Sequence, residues 1–245
     1  MVVSEGKWFT LTFLELEKGL SMSYRGRKVA CAASGIALAV IGSSASADFV
    51  NPLVPVWRGA ANADFYGWEI FTSAFGGPNI PNYAGTESGA ALFNFGAGAF
   101  INSAGNIQAT GSPLSMTVYA GAAEPVAEVI VNIATIGTVL NDNSLILGLY
   151  NNSGGGLTVS PSMMELRSDQ PTADGQGRVQ TRMYRWIVPP TGSALPRFEL
   201  NFGSLSGGIA LDSLSIDVRY IPAPGALALI TCAGTLAAWR RRRRD

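Results

Sequence analysis

Histidine is absent from all 245 residues. Cysteine occurs twice, at Cys31 and Cys232, each within an apolar run near one end of the chain. Lysine is missing between residues 48 and 221. These absences exclude several chemistries from the central span: Ser-His-Asp and Cys-His catalysis, zinc held by Cys and His, haem ligation, and internal disulfides. Charge is scarce too, at 14% of residues, and its 17 basic and 17 acidic groups cancel. The cancellation hides a partition. Residues 1–47 carry five basic and three acidic side chains, and residues 240–245 carry five arginines and one aspartate. The span 48–221 keeps seven arginines against 13 carboxylates, a net charge of −6. It has no cationic surplus with which to neutralise phosphates, so nucleic acid is not an expected partner.

What the sequence does contain is organised around its two ends. Arg25, Arg27 and Lys28 precede an apolar run from Val29 to Gly42, and Ala45 and Ala47 stand in an A-x-A arrangement before Asp48. A basic region, a short apolar core and small residues at a cleavage site read as a secretory signal peptide over 22–47. Fourteen residues of helix reach about 21 Å, short of the roughly 30 Å hydrocarbon core. Cys31 opens the apolar core instead of following it, which is not the place of a lipoprotein cysteine. Residues 1–21 read either as a translated upstream stretch, with Met22 as the start, or as a long n-region beginning at Met1.

The carboxyl end runs IPAPGALALITCAGTLAAWRRRRRD. Pro222 and Pro224 break a preceding strand. The run from Gly225 to Trp239 is apolar, and Arg240, Arg241, Arg242, Arg243 and Arg244 follow without a gap. Arginines in such a cluster are retained on the cytoplasmic side of a membrane, and Trp239 suits an interfacial anchor. The basic cluster at 25–28 is retained on the same side. Both apolar segments therefore enter from the cytoplasm, and the span between them is expected outside.

Pro222-Ala223-Pro224-Gly225, the apolar segment 226–239 and Arg240–Arg244 together resemble the PEP-CTERM sorting signal of bacterial envelope proteins. The family has Pro-Glu-Pro where this chain has Pro-Ala-Pro. The resemblance covers 222–245 and implies a single transmembrane helix there, recognised by an exosortase-type membrane protease. It also implies transient anchoring in the inner membrane and delivery to the envelope, the outer surface or the extracellular matrix.

The span 48–221 numbers 174 residues and suits one domain. Short alternating runs dominate, separated by Gly, Asn, Pro and Ser. Strands are expected near 68–74, 90–95, 98–102, 114–120, 126–136, 144–150, 157–160, 162–167, 179–188, 195–202 and 208–218. Val129, Val131 and Ile133 alternate with Glu128 and Asn132; Phe198, Leu200 and Phe202 alternate with Glu199 and Asn201. One face packs and the other meets water, the behaviour of antiparallel sheets. With turn signals about every 8–12 residues, the expected fold is an all-β antiparallel sandwich of jelly-roll type. Asn141-Asp142-Asn143 reads as a hairpin, and the glycines at 96–98 and 154–156 read as turns, because no Lys-Ser or Lys-Thr follows to make a phosphate loop.

Without histidine, paired carboxylates are the remaining acid-base device. Glu69, Glu87, Glu124, Glu128, Glu165 and Glu199 show no spacing that brings two together, and Glu128 and Glu199 fall on expected solvent faces. No catalytic residue is assigned and no enzyme is expected. Trp57, Phe65, Tyr66, Trp68, Phe71, Phe75 and Tyr83 crowd into 27 residues. Burial favours placing them in the core of the first sheet and a long N-terminal strap, since each buried large apolar side chain stabilises the fold by roughly 1.5–3 kcal/mol. In the last strand, Leu214, Ile216 and Val218 share one face with Asp212, and a coreward aspartate needs a partner. The run GGIALDSLSIDV after PRFELNF resembles the closing strands of carbohydrate-binding jelly rolls. That resemblance implies calcium with Asp212 as one ligand; the alternative is a sheet-edge aspartate bonded to loop amides or arginine.

The expectation is a non-enzymatic exported protein of the envelope or matrix. The alternative is a secreted carbohydrate-binding module that meets surface polysaccharide through Trp68, Tyr184 and Trp186, with calcium at Asp212.

Overall fold

The computed structural model describes residues 49–85, 89–122, 124–190 and 195–221. Both expected sorting segments, with Ala45, Ala47, Pro222, Ala223, Pro224, Gly225 and Arg240–Arg244, lie outside the described residues. Among the described residues, no helix is long and apolar enough to cross a membrane.

Among the described residues, thirteen strands form: β1 (Ala63–Trp68), β2 (Tyr83–Ala84), β3 (Ala91–Asn94), β4 (Ala99–Ile101), β5 (Ile107–Ala109), β6 (Ser115–Gly121), β7 (Val126–Gly137), β8 (Ile146–Tyr150), β9 (Gly156–Val159), β10 (Met163–Pro171), β11 (Arg178–Ile187), β12 (Arg197–Gly203) and β13 (Ile209–Tyr220). They make two antiparallel sheets. The larger has the order β10-β11-β7-β13-β1-β2, with β5 joined to β13 and β4 to β5; the smaller has the order β3-β6-β12-β8-β9. The expected all-β, two-sheet architecture is therefore present.

The alternating residues of the central strands meet in one core. Val129, Val131 and Ile133 of β7, Leu214, Ile216 and Val218 of β13, and Tyr184 and Trp186 of β11 face Val118 of β6, Leu147 and Leu149 of β8, and Phe198, Leu200 and Phe202 of β12. Two buried tryptophans staple the sheets at opposite sides. Trp186 in the large sheet donates its indole N–H to the carbonyl of Val159 in β9, at 3.0 Å. Trp68 in β1 donates to the carbonyl of Asn79, at 2.9 Å, and Asn79 in turn bridges to Leu92 of β3. At the end of β7, Gly137 sits at φ +107°, where a Cβ would stand 2.1 Å from the carbonyl oxygen of Gly208, so the close approach of the two chains needs glycine.

The first strand is displaced from expectation. It covers Ala63–Trp68, not 68–74. Beyond Trp68 the backbone amides are taken by asparagine side chains. Asn82 Oδ1 accepts from Glu69 and Ile70, and Asn79 Oδ1 accepts from Thr72 and Ser73. Amides satisfied in this way cannot also build a ladder. The Asn141–Asn143 segment is not a hairpin. It carries the chain from the large sheet to the small one, through a 3-10 turn at Asp142–Ser144. Asp142 accepts from Arg182 at 2.7 and 2.9 Å and from the Tyr184 hydroxyl at 2.7 Å, which ties the crossover to β11.

The outer face of the large sheet is covered, by residues 49–62. This strap follows a line of polar anchors. Val50 N–H donates to Thr181 Oγ1. Leu53 exchanges two hydrogen bonds with the Asn132 side chain, at 2.8 and 3.0 Å, and Asn132 also donates to Ser215 Oγ. Arg58 grips Asp217 with two bonds, at 2.5 and 2.7 Å. The Arg219 guanidinium lies over the Trp57 ring at 5.6 Å. Asn62 and Tyr220 then exchange bonds as the chain turns into β1. The strap explains why Ser213, Ser215 and Asp217, which alternation placed toward water, are buried.

Asn132→Ala removes both bonds that hold Leu53. It is expected to cost about 1–3 kcal/mol and to speed hydrogen exchange at the Leu53 amide while leaving the small sheet unchanged. Unaltered protection at Leu53 would show that the strap is held elsewhere.

Candidate functional site: an aromatic cleft on the small sheet

The alternation that buries Phe198, Leu200 and Phe202 turns Arg197, Glu199 and Asn201 outward. The register then fixes their neighbours. Glu199 lies between Tyr119 and Gly148, Arg197 between Gly121 and Tyr150, and Asn201 between Thr117 and Ile146. The next strands bring Ala91 beside Tyr119 and Gly156 beside Tyr150. Small residues thus make a floor from which two tyrosines and a line of polar groups project.

The glycines set the attitude of Tyr150. A Cβ at Gly148 would stand 2.5 Å from the Tyr150 hydroxyl, and one at Gly156 would stand 2.5 Å from its Cδ1. The ring therefore lies down across both glycines, one face on the sheet and the other available. Tyr119 is 43% exposed. It is braced edge-on by Phe93, with ring centroids 5.7 Å apart and planes at 69°, and Phe93 stacks in parallel on Phe95. Between the tyrosines, Glu199 is oriented by a short relay. Thr117 Oγ1 donates to Asn201 Oδ1 at 2.7 Å, and Asn201 Nδ2 donates to Glu199 Oε1 at 2.7 Å. Partial burial, and then the negative charge of Glu199, push the Tyr119 phenol above its ordinary value, so it stays a neutral hydrogen-bond donor.

The cleft is two adjoining hollows. One, of about 390 Å³, is lined by Tyr119, Tyr150, Asn151, Asn152, Arg197 and Glu199 among others. The second, of about 440 Å³, shares Tyr119, Asn152 and Arg197 and extends over Gly121. Each falls in the roughly 300–1,000 Å³ range of small-molecule sites.

The residues singled out in the sequence lie elsewhere. Trp68 and Trp186 are each 0% exposed, and Tyr184 is buried beside Trp186. None offers a ring face to a ligand, because the two indole N–H groups and the Tyr184 hydroxyl are all engaged inside the fold. Burial, followed by the bond to Asp142, drives the Tyr184 phenol far above its ordinary range. Asp212 occupies the bulge where the β13–β7 register slips between Leu211 and Ser213. It is buried in a central strand, not at a sheet edge, and accepts from Asn106 Nδ2 at 2.7 Å. Among the described residues no three His, Cys, Asp or Glu side chains gather as a metal-holding group. Asn106 and the Ser213 hydroxyl both donate to Asp212, which gives the coreward aspartate hydrogen-bond partners within the fold.

Glu128 also departs from expectation. It is 2% exposed, not solvent-facing, with two arginines on its carboxylate. Arg185 and Arg219 reach it at 2.7 and 2.5 Å. Glu69 accepts from the Tyr83 hydroxyl and Glu165 pairs with Arg167. Among the described residues, Glu199 is the one candidate glutamate that lines the cleft, and Glu87 lies outside them. Tyr119 and Tyr150 were not singled out in the sequence. Two signals for them were present: the outward parity of Tyr119 between Val118 and Ala120, and the glycines that flank Tyr150.

No protein-family model matches the chain, and no curated protein matches it. Two solved structures share a limited likeness. One is a family GH115 4-O-methyl-α-glucuronidase with specificity for decorated arabinogalactans, at 15% identity and TM-score 0.25, over 64% of this chain and 17% of the other. The second is the enzymatically active domain of tailspike protein 4 from bacteriophage CBA120, at 12% identity and TM-score 0.25, over 63% of this chain and 19% of the other. This chain thus spans less than a fifth of the length of either.

Proposed function

We propose that the chain is a non-enzymatic exported protein, sorted to the cell envelope or extracellular matrix, whose sandwich domain is the working part. The observation that carries the reading is the order of Pro222-Ala223-Pro224-Gly225, an apolar run and Arg240–Arg244, behind a lysine-free domain preceded by a signal-like segment. The proline-locked segment forms no competing hydrogen bonds, so it suits a protease cleft. Just before this segment, Ile221 N–H donates to the carbonyl of Pro125 at 2.8 Å, which fastens the end of the sandwich.

Two strand orders, β1-β13-β7-β11 and β6-β12-β8-β9, support the finer reading of the sandwich as a jelly roll, since the chain passes between the sheets in the manner of two nested Greek keys. The cleft supports a binding role over catalysis: Glu199 is the one carboxylate among the described residues that line it, and glycoside hydrolysis ordinarily uses two. Binding of glycan through Trp68, Tyr184 and Trp186 loses its basis with their burial.

Mass spectrometry of the surface-associated protein tests both ends together. The expected chain begins after Ala47 and ends near Pro224. Replacing Arg240–Arg244 with serine should divert the protein from the surface, and Pro222→Ala with Pro224→Ala should leave a heavier, membrane-held form. Full-length chains dissolved in the cytosol would overturn the reading.

A further inference from the structure

We infer that the cleft on the outer face of the small sheet binds a neutral oligosaccharide, with one sugar ring stacked on Tyr150 and the next reaching Tyr119. The inference deepens the envelope reading, on which it rests only for the setting in which a glycan is met.

Four observations point to this ligand chemistry. Tyr150 lies flat on a glycine floor with its outer face available, the attitude in which an aromatic ring receives the C–H face of a pyranose. Its neighbours are hydrogen-bonding groups in place of further apolar ones, so the site matches a ligand with a C–H face and a hydroxyl rim. Glu199 has one oxygen held by Asn201, which leaves the other to accept from sugar hydroxyls, and the neutral Tyr119 phenol and the Arg197 guanidinium can donate to them. The two hollows adjoin through Tyr119, Asn152 and Arg197 and lie open along the face. That shape admits consecutive residues of a chain.

Charge decides between neutral and anionic glycans. The span 48–221 has a net charge of −6, and among the described residues that line the cleft Glu199 meets a single arginine, Arg197. A polyanionic saccharide would be repelled by the domain as it approached.

The test uses the full chain purified in an amine-oxide detergent, since detergents with sugar headgroups would compete. Calorimetric titration is run with hexasaccharides of β-1,4-glucan, β-1,4-mannan and α-1,4-glucan, and with an oligogalacturonide as the acidic probe. At least one neutral hexasaccharide should bind. Tyr150→Ala should weaken that binding by about tenfold or more, and Tyr119→Ala by a similar factor. Gly148→Val alters no ligand-facing polar group but lifts the Tyr150 ring off the sheet, and should weaken binding comparably. Unchanged thermal unfolding in each variant separates loss of the site from loss of the fold.

Absence of binding to every neutral probe, binding of the oligogalacturonide alone, or full affinity in Tyr150→Ala would each overturn the inference. The surface mass-spectrometric result is independent of all three, so the sorting reading and the sugar site fail separately.

Discussion

Trp186→Ala is expected to lower the unfolding free energy by about 3–5 kcal/mol. The side chain is fully buried between the sheets and tilts against Tyr184 with ring centroids 6.3 Å apart. Truncation leaves a large apolar cavity, and the surrounding strands cannot close it, because β11 is fixed on one side by β7 and on the other by β10. It also removes the donor for the Val159 carbonyl, which ties the edge strand β9 to the opposite sheet. Trp186→Phe separates the two losses. It keeps most of the apolar body and forfeits the N–H, so it should cost about 1–2 kcal/mol. Urea denaturation of both variants provides the measurement. A deficit in Trp186→Ala no larger than that in Trp186→Phe would show that the site collapses around the gap, or that the indole is not packed as described. The same experiment bears on ligand binding: if the fold persists in Trp186→Ala, saccharide affinity should be close to that of the parent, because the indole is walled off from the cleft.

Arg58→Ala is the second large effect, expected at about 3–5 kcal/mol near neutral pH. Asp217 is 0% exposed, on the central strand under the strap, and Arg58 is its bidentate partner. Arg58 itself is partly in water, so its own loss matters less than the unpaired carboxylate left behind. Two effects compete at Asp217. Burial raises its pKa above the ordinary value of 3.8, and Arg58 opposes the rise without cancelling it. A carboxyl raised in the folded state takes up its proton there at a higher pH than in the unfolded chain. Its contribution to stability is therefore complete below the unfolded value near 3.8 and is lost as pH rises through the folded value. This is opposite in sign to the usual salt-bridged aspartate. Removing Arg58 lifts the folded value further. The deficit of Arg58→Ala should consequently be greatest near pH 7 and should shrink as pH falls through the raised folded values, once Asp217 is protonated in parent and variant alike. Arg58→Ala combined with Asp217→Leu should recover much of the loss, because the buried charge is gone with its partner. A deficit that does not vary with pH, in chemical denaturation across this range, would mean that Asp217 is not the group left exposed to the low dielectric.

Arg58 also lies 5.3 Å above the Phe65 ring, so part of its cost comes from lost stacking. That part does not titrate and sets the floor of the deficit at low pH. The strap is thus fastened by two kinds of contact. Asn132 fixes the backbone by amide bonds that are insensitive to pH, and Arg58 fixes it through a charge that is not.

Much of the strand plan was legible because it rests on local rules. The stretch expected at 126–136 forms Val126–Gly137, and that expected at 195–202 forms Arg197–Gly203. In both, the period-two alternation of large apolar residues matches the pleat. The glycines expected to turn at 154–156 lie where Asn151–Gly155 closes β8 onto β9, and Asp174-Gly175 likewise closes β10 onto β11. The reading failed where side chains just beyond the expected strand took its amides. Asn79 and Asn82 captured the amides after Trp68, and nothing in the sequence around 68–74 announces it.

Sites were less legible than strands, for a related reason. Alternation sorts residues into two faces and does not say which face water reaches. Glu128 and Glu199 have the same outward parity, yet Glu128 is buried beside two arginines while Glu199 stands in an open cleft. Trp68, Tyr184 and Trp186 attracted notice as exposed-ring candidates by chemistry alone, and their inward parity was the better guide.

By itself the sequence determined the all-β character and the positions of most strands, because strand period and turn residues are properties of neighbouring positions, and its composition alone excluded histidine and cysteine chemistry from residues 48–221. The tertiary structure decided which outward face is covered by residues 49–62 and which stays open, and so assigned burial to Asp217 and exposure to Tyr119. Exposure depends on what folds across a surface, and here the covering segment comes from far along the chain.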